Sequence, residues 1–95
     1  ALLRQLVEKA KSEPMNLYYD FTLKDDVIFC REAYVGADGL LSHLDNVGAV
    51  LAEFLKVVDV LRVEVHGSPD DLEKLKGPLA GLKPDYFVFE CGVVR

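Results

Sequence analysis

The chain has 95 residues, enough for one domain, and its 51% of hydrophobic residues can form a core. Its net charge of −5 and its scattered lysines and arginines argue against binding to nucleic acid or to an anionic membrane surface. No signal peptide and no apolar run of the roughly 20 residues that a membrane helix needs are visible. We therefore expect a cytoplasmic protein without a membrane anchor.

The two cysteines, Cys30 and Cys91, each lie in an apolar, strand-like stretch with no second cysteine nearby. Free cysteines are often core residues, so the sequence predicts that both are reduced and buried. A Cys30–Cys91 disulfide is the alternative and would require an oxidising compartment.

The first predicted element is an amphipathic helix from Ala1 to Ser12, which Pro14 ends. Because the chain starts inside this helix and without Met, we expect the native protein to extend upstream. Residues alternate between apolar and polar from Met15 to Leu23, as in a strand with one apolar face. A short polar turn and a second strand, Val27–Val35, follow, so the two strands predict an antiparallel hairpin.

A long helix is predicted next, with Asp38 as its N-cap and an end near Lys56. Its apolar stripe begins at Leu40 and recurs at helical spacing. Asn46 and Gly48 are both poor helix formers in a helix interior. The sequence therefore predicts a bend or a break near Asn46.

The remaining elements are a strand at Asp59–Gly67, a short helix that Ser68 caps, and a last strand at Pro84–Val94. The simplest packing of these elements is α+β, one antiparallel sheet with helices on one face. With a further strand upstream of Ala1, the first part would form the β-α-β-β-α-β ferredoxin-like unit. We expect residues 1–95 to form a single domain.

The main functional candidates lie between Asp26 and Asn46. Glu32 and Tyr34 share one face of a predicted strand, and His43 and Asn46 are neighbours on the helix that follows. His43 is the candidate catalytic base, because an imidazole can take a proton from a phenol or hydroquinone. The alternative is a partly exposed histidine that packs at a helix surface.

Asn46 is the second catalytic candidate, as a group that orients a carbonyl or stabilises an oxyanion; it could equally mark the helix break. Candidate substrate-binding residues are Tyr34, Glu32, Tyr18 and His66.

Each of these residues also has a plainer interpretation. The tyrosines could simply supply packing area. If Glu32 and Glu64 lie on neighbouring strands, they could share a pocket, but ion pairs with Arg31 or Arg62 are the favoured interpretation. His66 follows Glu64 by two residues on the same strand face, yet the spacing gives no set of three or four converging metal ligands. We predict neither a metal nor a cofactor.

Three segments resemble the antibiotic biosynthesis monooxygenase-like group of the dimeric α+β barrel superfamily. They are the strand end Cys30-Arg31-Glu32-Ala33-Tyr34, the helix start Gly39-Leu40-Leu41-Ser42-His43-Leu44, and the final strand from Tyr86-Phe87 to Val94. The resemblance implies a homodimer whose two sheets form a shared barrel, with a pocket between each sheet and its helices. Some members of the group oxidise quinols or anthrones with O2 and no metal or bound cofactor, and others degrade haem.

These observations leave three hypotheses. The first is a cofactor-independent monooxygenase for a small aromatic or quinol-type molecule, with His43 as the proton acceptor. The second is a non-catalytic dimeric binding or assembly module. The lack of tryptophan favours it, because active members of the group that this chain resembles often have a tryptophan near the pocket. The third is haem binding or degradation, with His43 or His66 as axial ligand.

Overall fold

The computed structural model describes residues 2–93, and the chain divides after Asp59 into two compact units. The elements of the first unit are α1 (Leu2–Ala10), β1 (Asn16–Lys24), β2 (Val27–Tyr34) and α2 (Gly36–Leu55). Those of the second are β3 (Glu64–Gly67), α3 (Pro69–Lys76), a 3-10 turn (Ala80–Leu82) and β4 (Asp85–Val88). The α+β class is therefore confirmed. Ala1 and Val94, which the predicted end elements include, lie outside the described residues.

The core of the first unit forms where α1 packs against α2. Leu6 and Ala10 lie on the apolar stripe of α1, and both are buried. Val47 of α2 is fully buried, and Ala37 near the start of α2 is also enclosed. The apolar periodicity of α1 thus predicted its buried face correctly.

The hairpin of β1 and β2 is antiparallel, as predicted, and its register decides which side chains face the helices. Tyr19 lies opposite Glu32, and the ring of Tyr19 contacts His43 of α2. The alternate residues point away from α2, where Arg31 makes two hydrogen bonds of 3.2 Å to Asp20. The hairpin therefore has one face that packs against α2 and an opposite face that is exposed.

The long helix differs from its prediction in two ways. It begins at Gly36, and its N-cap is Val35 without a side-chain cap bond, so the prediction of Asp38 as N-cap was wrong. It is also a single helix through Asn46, so the predicted break was wrong. The Asn46 amide nitrogen donates hydrogen bonds to the Lys9 carbonyl at 2.9 Å and to Glu13 Oε2 at 2.8 Å. These tertiary contacts outweigh the low helix propensity of asparagine.

The second unit contains a parallel pair of strands, β3 and β4. Residues 2–93 thus contain two separate two-stranded sheets, one antiparallel and one parallel, rather than the single antiparallel sheet that was predicted. The reason is that α3 lies between β3 and β4 in the chain, and a helical crossover returns the second strand parallel to the first. Ser68 caps α3 as predicted, since its Oγ accepts a hydrogen bond from the Asp71 amide at 3.2 Å.

Both cysteines are free thiols, but both are exposed, so the prediction that they are buried was wrong. For Cys30 the reason is that β2 is exposed along most of its length, from Val27 to Glu32. In a two-stranded sheet, an apolar alternation does not guarantee that helices cover the strand.

Within residues 2–93, no helix combines the length and the apolar character that a membrane crossing requires.

Two glycines of α2 provide a matched test of this packing. A Cβ at Gly39 would lie 3.0 Å from Tyr34 Cβ and 3.2 Å from both Cβ and the carbonyl oxygen of Met15, whereas a Cβ at Gly48 meets nothing within 4 Å. We expect Gly39→Ala to lower the free energy of unfolding by about 1–3 kcal/mol, because overpacking forces the hairpin and α2 apart. Gly48→Ala should raise it by about 0.5–1 kcal/mol, because alanine is the better helix former.

Urea denaturation of both variants beside the parent chain measures these changes. Equal effects at the two positions would contradict the close contact between α2 and the hairpin at Gly39.

Candidate functional site

The candidate site is built around His43, the one buried polar or charged side chain recorded for the described residues, with a relative exposure of 2%. It lies on the face of α2 that meets the hairpin. The ring of Tyr19 lies 4.7 Å from the imidazole and that of Tyr34 lies 5.1 Å from it, measured between ring centres. Two strands and one helix therefore enclose the imidazole, and the interpretation of His43 as a partly exposed surface histidine was wrong.

Glu13 binds one nitrogen of this imidazole. It lies in the loop between α1 and β1, and its two carboxylate oxygens are 2.8 Å and 2.9 Å from His43 Nδ1. An ionised carboxylate only accepts hydrogen bonds. Nδ1 therefore carries the proton and donates a hydrogen bond to Glu13. In the neutral ring, the lone pair is then on Nε2, which makes Nε2 the basic atom of the site.

The Glu13 carboxylate is itself held by two amides. Asn46 donates to its Oε2 at 2.8 Å, and Asn16 donates to its Oε1 at 3.0 Å. Burial of the carboxyl disfavours its charge, but the hydrogen bonds from Asn46, Asn16 and His43 outweigh burial and lower the pKa of Glu13. Glu13 therefore remains a carboxylate and fixes the orientation and tautomer of the ring.

Glu32 faces the other nitrogen of the imidazole. Its Oε1 lies 4.0 Å from His43 Nε2, beyond hydrogen-bond distance, so the basic nitrogen is not already bonded to it. The Tyr34 hydroxyl donates to the same oxygen at 2.7 Å, and the Cys30 thiol donates to Oε2 at 3.1 Å. Two neighbours on the same strand thus position Glu32 on the Nε2 side of the imidazole ring.

The two phenols and the thiol of the cluster are held in their protonated forms. Burial, the charge of Glu32 and the hydrogen bond to it raise the pKa of Tyr34. Burial also raises the pKa of Tyr19. Although Cys30 is exposed, desolvation of its thiol by neighbouring groups, together with the charge of Glu32, raises the pKa of Cys30. Since the thiolate is the nucleophilic form of cysteine, Cys30 is here a hydrogen-bond donor rather than an attacking group.

Four of the six predicted site residues come together, although not all in the predicted roles. His43, Tyr34 and Glu32 form the cluster, as their spacing indicated. Asn46 contacts Glu13 and the Lys9 carbonyl, so its amide supports the carboxylate rather than marking a helix break.

The other two predicted residues lie elsewhere. Tyr18 is exposed and pairs with Ala33, on the face of β1 opposite to Tyr19, so it is not part of this cluster. His66 lies in the second unit, where it is 3.2 Å from Glu64 and stacks on Phe87.

Of the two expectations for Glu64, the shared pocket with Glu32 was wrong and the ion pair is confirmed. Since β2 pairs with β1 and β3 with β4, Glu32 and Glu64 belong to separate sheets and are not on neighbouring strands. Glu64 forms the ion pair with Arg62 that was favoured, at 2.7 Å.

The sequence interpretation missed Glu13 and Tyr19. Tyr19 lies on the apolar face of the Met15–Leu23 alternation, and that position was a usable signal, since this face meets the helices. Glu13 lies 30 residues from His43 in a loop before Pro14, where a lone glutamate has no distinguishing pattern. Both residues line a cleft of about 210 Å³, which His43 itself does not line; the other residues that line it are Val7, Ala10, Lys11 and Asn16.

The arrangement is suited to proton transfer. It places a buried base between two carboxylates, with aromatic rings that limit the access of water. Among residues 2–93, no three His, Cys, Asp or Glu side chains are grouped so that they could hold a metal ion.

No family model matches the sequence, and no curated protein matches it either. Among solved structures, the crystal structure of MupZ from Pseudomonas fluorescens is similar to this chain, with a TM-score of 0.90 and 40% sequence identity. The match covers 97% of this chain and 72% of the MupZ chain.

The lowered pKa of Glu13 predicts how stability depends on pH. A carboxyl whose pKa is lower in the folded state binds fewer protons when folded, so it stabilises the fold above its unfolded pKa of about 4.3. That contribution is lost as the pH falls through the lower folded value. Glu13→Gln should lower the free energy of unfolding by about 1–3 kcal/mol at pH 7, because one accepting oxygen becomes a donor that faces other donors. The difference between parent and variant should shrink below about pH 4.

Urea titrations from pH 3 to pH 8 measure this dependence. Glu8→Gln is the control, because Glu8 is 69% exposed and pairs only with Lys11 on the helix surface, where such pairs contribute little. A parent–variant difference at Glu13 that does not change with pH would show that the charge of Glu13 is not what stabilises the fold.

Proposed function

The chain belongs to the same protein family as MupZ, and from the geometry of its own site we propose that it is an acid–base enzyme that acts on a small molecule. The observation that carries the proposal is a buried imidazole whose Nδ1 is 2.8 Å from Glu13 and whose Nε2 makes no hydrogen bond within residues 2–93, with Glu32 Oε1 4.0 Å away. A base needs such an arrangement, with a fixed tautomer and a lone pair that remains available.

In the proposed mechanism, Nε2 of His43 takes a proton from a hydroxyl or an acidic C–H of the substrate. The imidazolium that forms lies between the carboxylates of Glu13 and Glu32, and both stabilise its charge. Tyr19 and Tyr34 pack against the ring and limit its contact with water. Tyr34 also remains protonated, so its hydroxyl is a donor at the edge of the site.

For the reaction class, we propose oxygenation of a small quinol or anthrone without a bound cofactor. Removal of the proton makes the ring electron-rich enough to reduce O2 directly. For a substrate that carries a CH2 group, one oxygen atom becomes the new carbonyl and the other leaves as water, which balances the oxidation of the substrate by O2. The aromatic rings beside His43 and the resemblance to the antibiotic biosynthesis monooxygenase-like group support this class. The protein then supplies deprotonation, positioning and exclusion of water.

We also propose that the chain adopts the ferredoxin-like arrangement and works as a homodimer. The order of α1, β1, β2, α2 and β3 matches that of the ferredoxin-like unit without its first strand and supports the first part, although the strands of residues 2–93 form two separate sheets. The hairpin face that points away from α2 supports the second, because Phe29 is 61% exposed there and Tyr18 is 53% exposed. Large exposed aromatic side chains on one face of a sheet are typical of a surface that another protein covers.

The central test is O2 uptake by the purified protein with a panel of quinols and anthrones. His43→Ala should lower the rate by about 10²–10⁴-fold, the usual contribution of a positioned general base. Glu13→Gln should lower it as well, since the ring loses the carboxylate that sets its tautomer.

The matched control is His66→Ala, which removes the other histidine, 63% exposed in the second unit, and should leave the rate unchanged. Equal rates in the parent and His43→Ala would remove His43 as the base. If the parent consumes no O2 but binds members of the panel, the result would favour the non-catalytic binding module.

The dimer has its own test. Phe29→Asp places a charge on the exposed face of β2 without touching the cluster around His43. We expect the variant to be monomeric and folded at concentrations where the parent is a dimer, because a buried unpaired carboxylate is costly at an interface. Light scattering after size exclusion gives both masses, and a parent that is already monomeric would refute the homodimer.

A further inference from the structure

We propose that Glu32 is the group through which His43 exchanges its proton with solvent, while Glu13 positions the ring and takes no part in that exchange. The inference rests on the proposed acid–base function and assigns the two carboxylates of the site different roles. It concerns what happens after the base has taken a proton, since a buried imidazolium must lose that proton before it can act again.

The first support is the difference in exposure around the ring. The His43 side chain is 3% exposed, so direct exchange with bulk water is restricted. Glu13, on the Nδ1 side, is 7% exposed, whereas Glu32, on the Nε2 side, is 35% exposed. Of these two carboxylates, Glu32 therefore has the greater contact with water, and it faces the nitrogen that receives the proton.

The second support is the difference in hydrogen bonding. Glu13 already accepts from His43 Nδ1, Asn46 and Asn16, which favours its charged form and makes it a poor proton acceptor. Within residues 2–93, the side-chain donors to Glu32 are two neighbours on its own strand, Tyr34 and Cys30. Its exposed side chain can rotate to close the 4.0 Å gap to Nε2.

The transfer is balanced without any further reactant. The Nε2–H bond breaks and an O–H bond forms on Glu32, which leaves a neutral imidazole and a neutral carboxyl. The carboxyl then gives its proton to water and becomes a carboxylate again. The other groups that face the ring, Tyr19 and Tyr34, both have raised pKa values and keep their protons, so they do not compete as acceptors.

The experiment is nitrogen NMR of the full chain with ¹⁵N-labelled histidine, recorded across the titration of the rings and without substrate. Line shapes of the ring nitrogens report how fast the protonated and neutral forms exchange. Glu32→Gln should slow this exchange at His43 by about tenfold or more, since a relay group acts by the same proton transfers as a general base. Glu32→Asp keeps a carboxylate and should restore most of the rate. Tyr34→Phe removes a donor but leaves the carboxylate, so it should also retain fast exchange.

The second histidine provides the internal control. His66 is 63% exposed and lies beside its own glutamate, Glu64, so its exchange should be the same in the parent and in Glu32→Gln. Glu64→Gln should leave His43 unchanged. Exchange at His43 that is equally fast in Glu32→Gln and the parent would overturn the relay.

The NMR experiment tests the relay independently of the proposed reaction. Because no substrate is present, slow exchange in Glu32→Gln supports the relay even where O2 uptake does not depend on His43. Fast exchange in that variant refutes the relay even where His43→Ala abolishes uptake.

Discussion

The first unit depends on the hydrogen bonds between the buried His43 and Glu13. A buried imidazole must have polar partners, because an unsatisfied nitrogen in the interior costs about 1–3 kcal/mol. Glu13 meets this requirement for Nδ1 from the loop that joins α1 to β1, at 2.8 Å and 2.9 Å. The same carboxylate binds Asn46 of α2 and Asn16 at the start of β1. One charge therefore connects α2 to the loop after α1 and to the hairpin, and a shift of any of these elements would leave a buried polar group unpaired.

This polar centre is combined with close packing. The hairpin comes near the start of α2 at Gly39, where a Cβ would lie 3.0 Å from Tyr34 and 3.2 Å from Met15. That approach brings Tyr34 and Glu32 to the Nε2 side of the imidazole. The absence of a side chain at Gly39 thus contributes to the geometry of the site, although Gly39 carries no functional group. A residue that only allows two elements to approach can be as important to a site as one that touches the substrate.

Much of the local structure could be predicted from the sequence, because it depends on neighbours in the chain. The periodicity of α1, the alternation along the hairpin and the Ser68 cap are of this kind, and all three are confirmed. The candidate histidine was also found, since it follows a strand that carries Glu32 and Tyr34. Glu13 was not found, because its role arises from a contact 30 residues away. The parallel pairing of β3 and β4 was missed for a similar reason: alternation shows which residues share a face, but not which strand lies alongside or in which direction.

The two carboxylates around His43 show how different surroundings give one residue type different properties. Glu13 is enclosed and accepts hydrogen bonds from three side chains, so its proton affinity is low and its geometry is fixed. Glu32 lies on an exposed strand and accepts hydrogen bonds from Tyr34 and Cys30 on the same strand. A fixed carboxylate suits the orientation of a base, because it does not compete for the proton. A partly exposed carboxylate suits the removal of that proton, because it faces both the ring and the solvent. The chemistry that this site can support therefore follows from the unequal burial of two otherwise identical side chains on opposite sides of one imidazole.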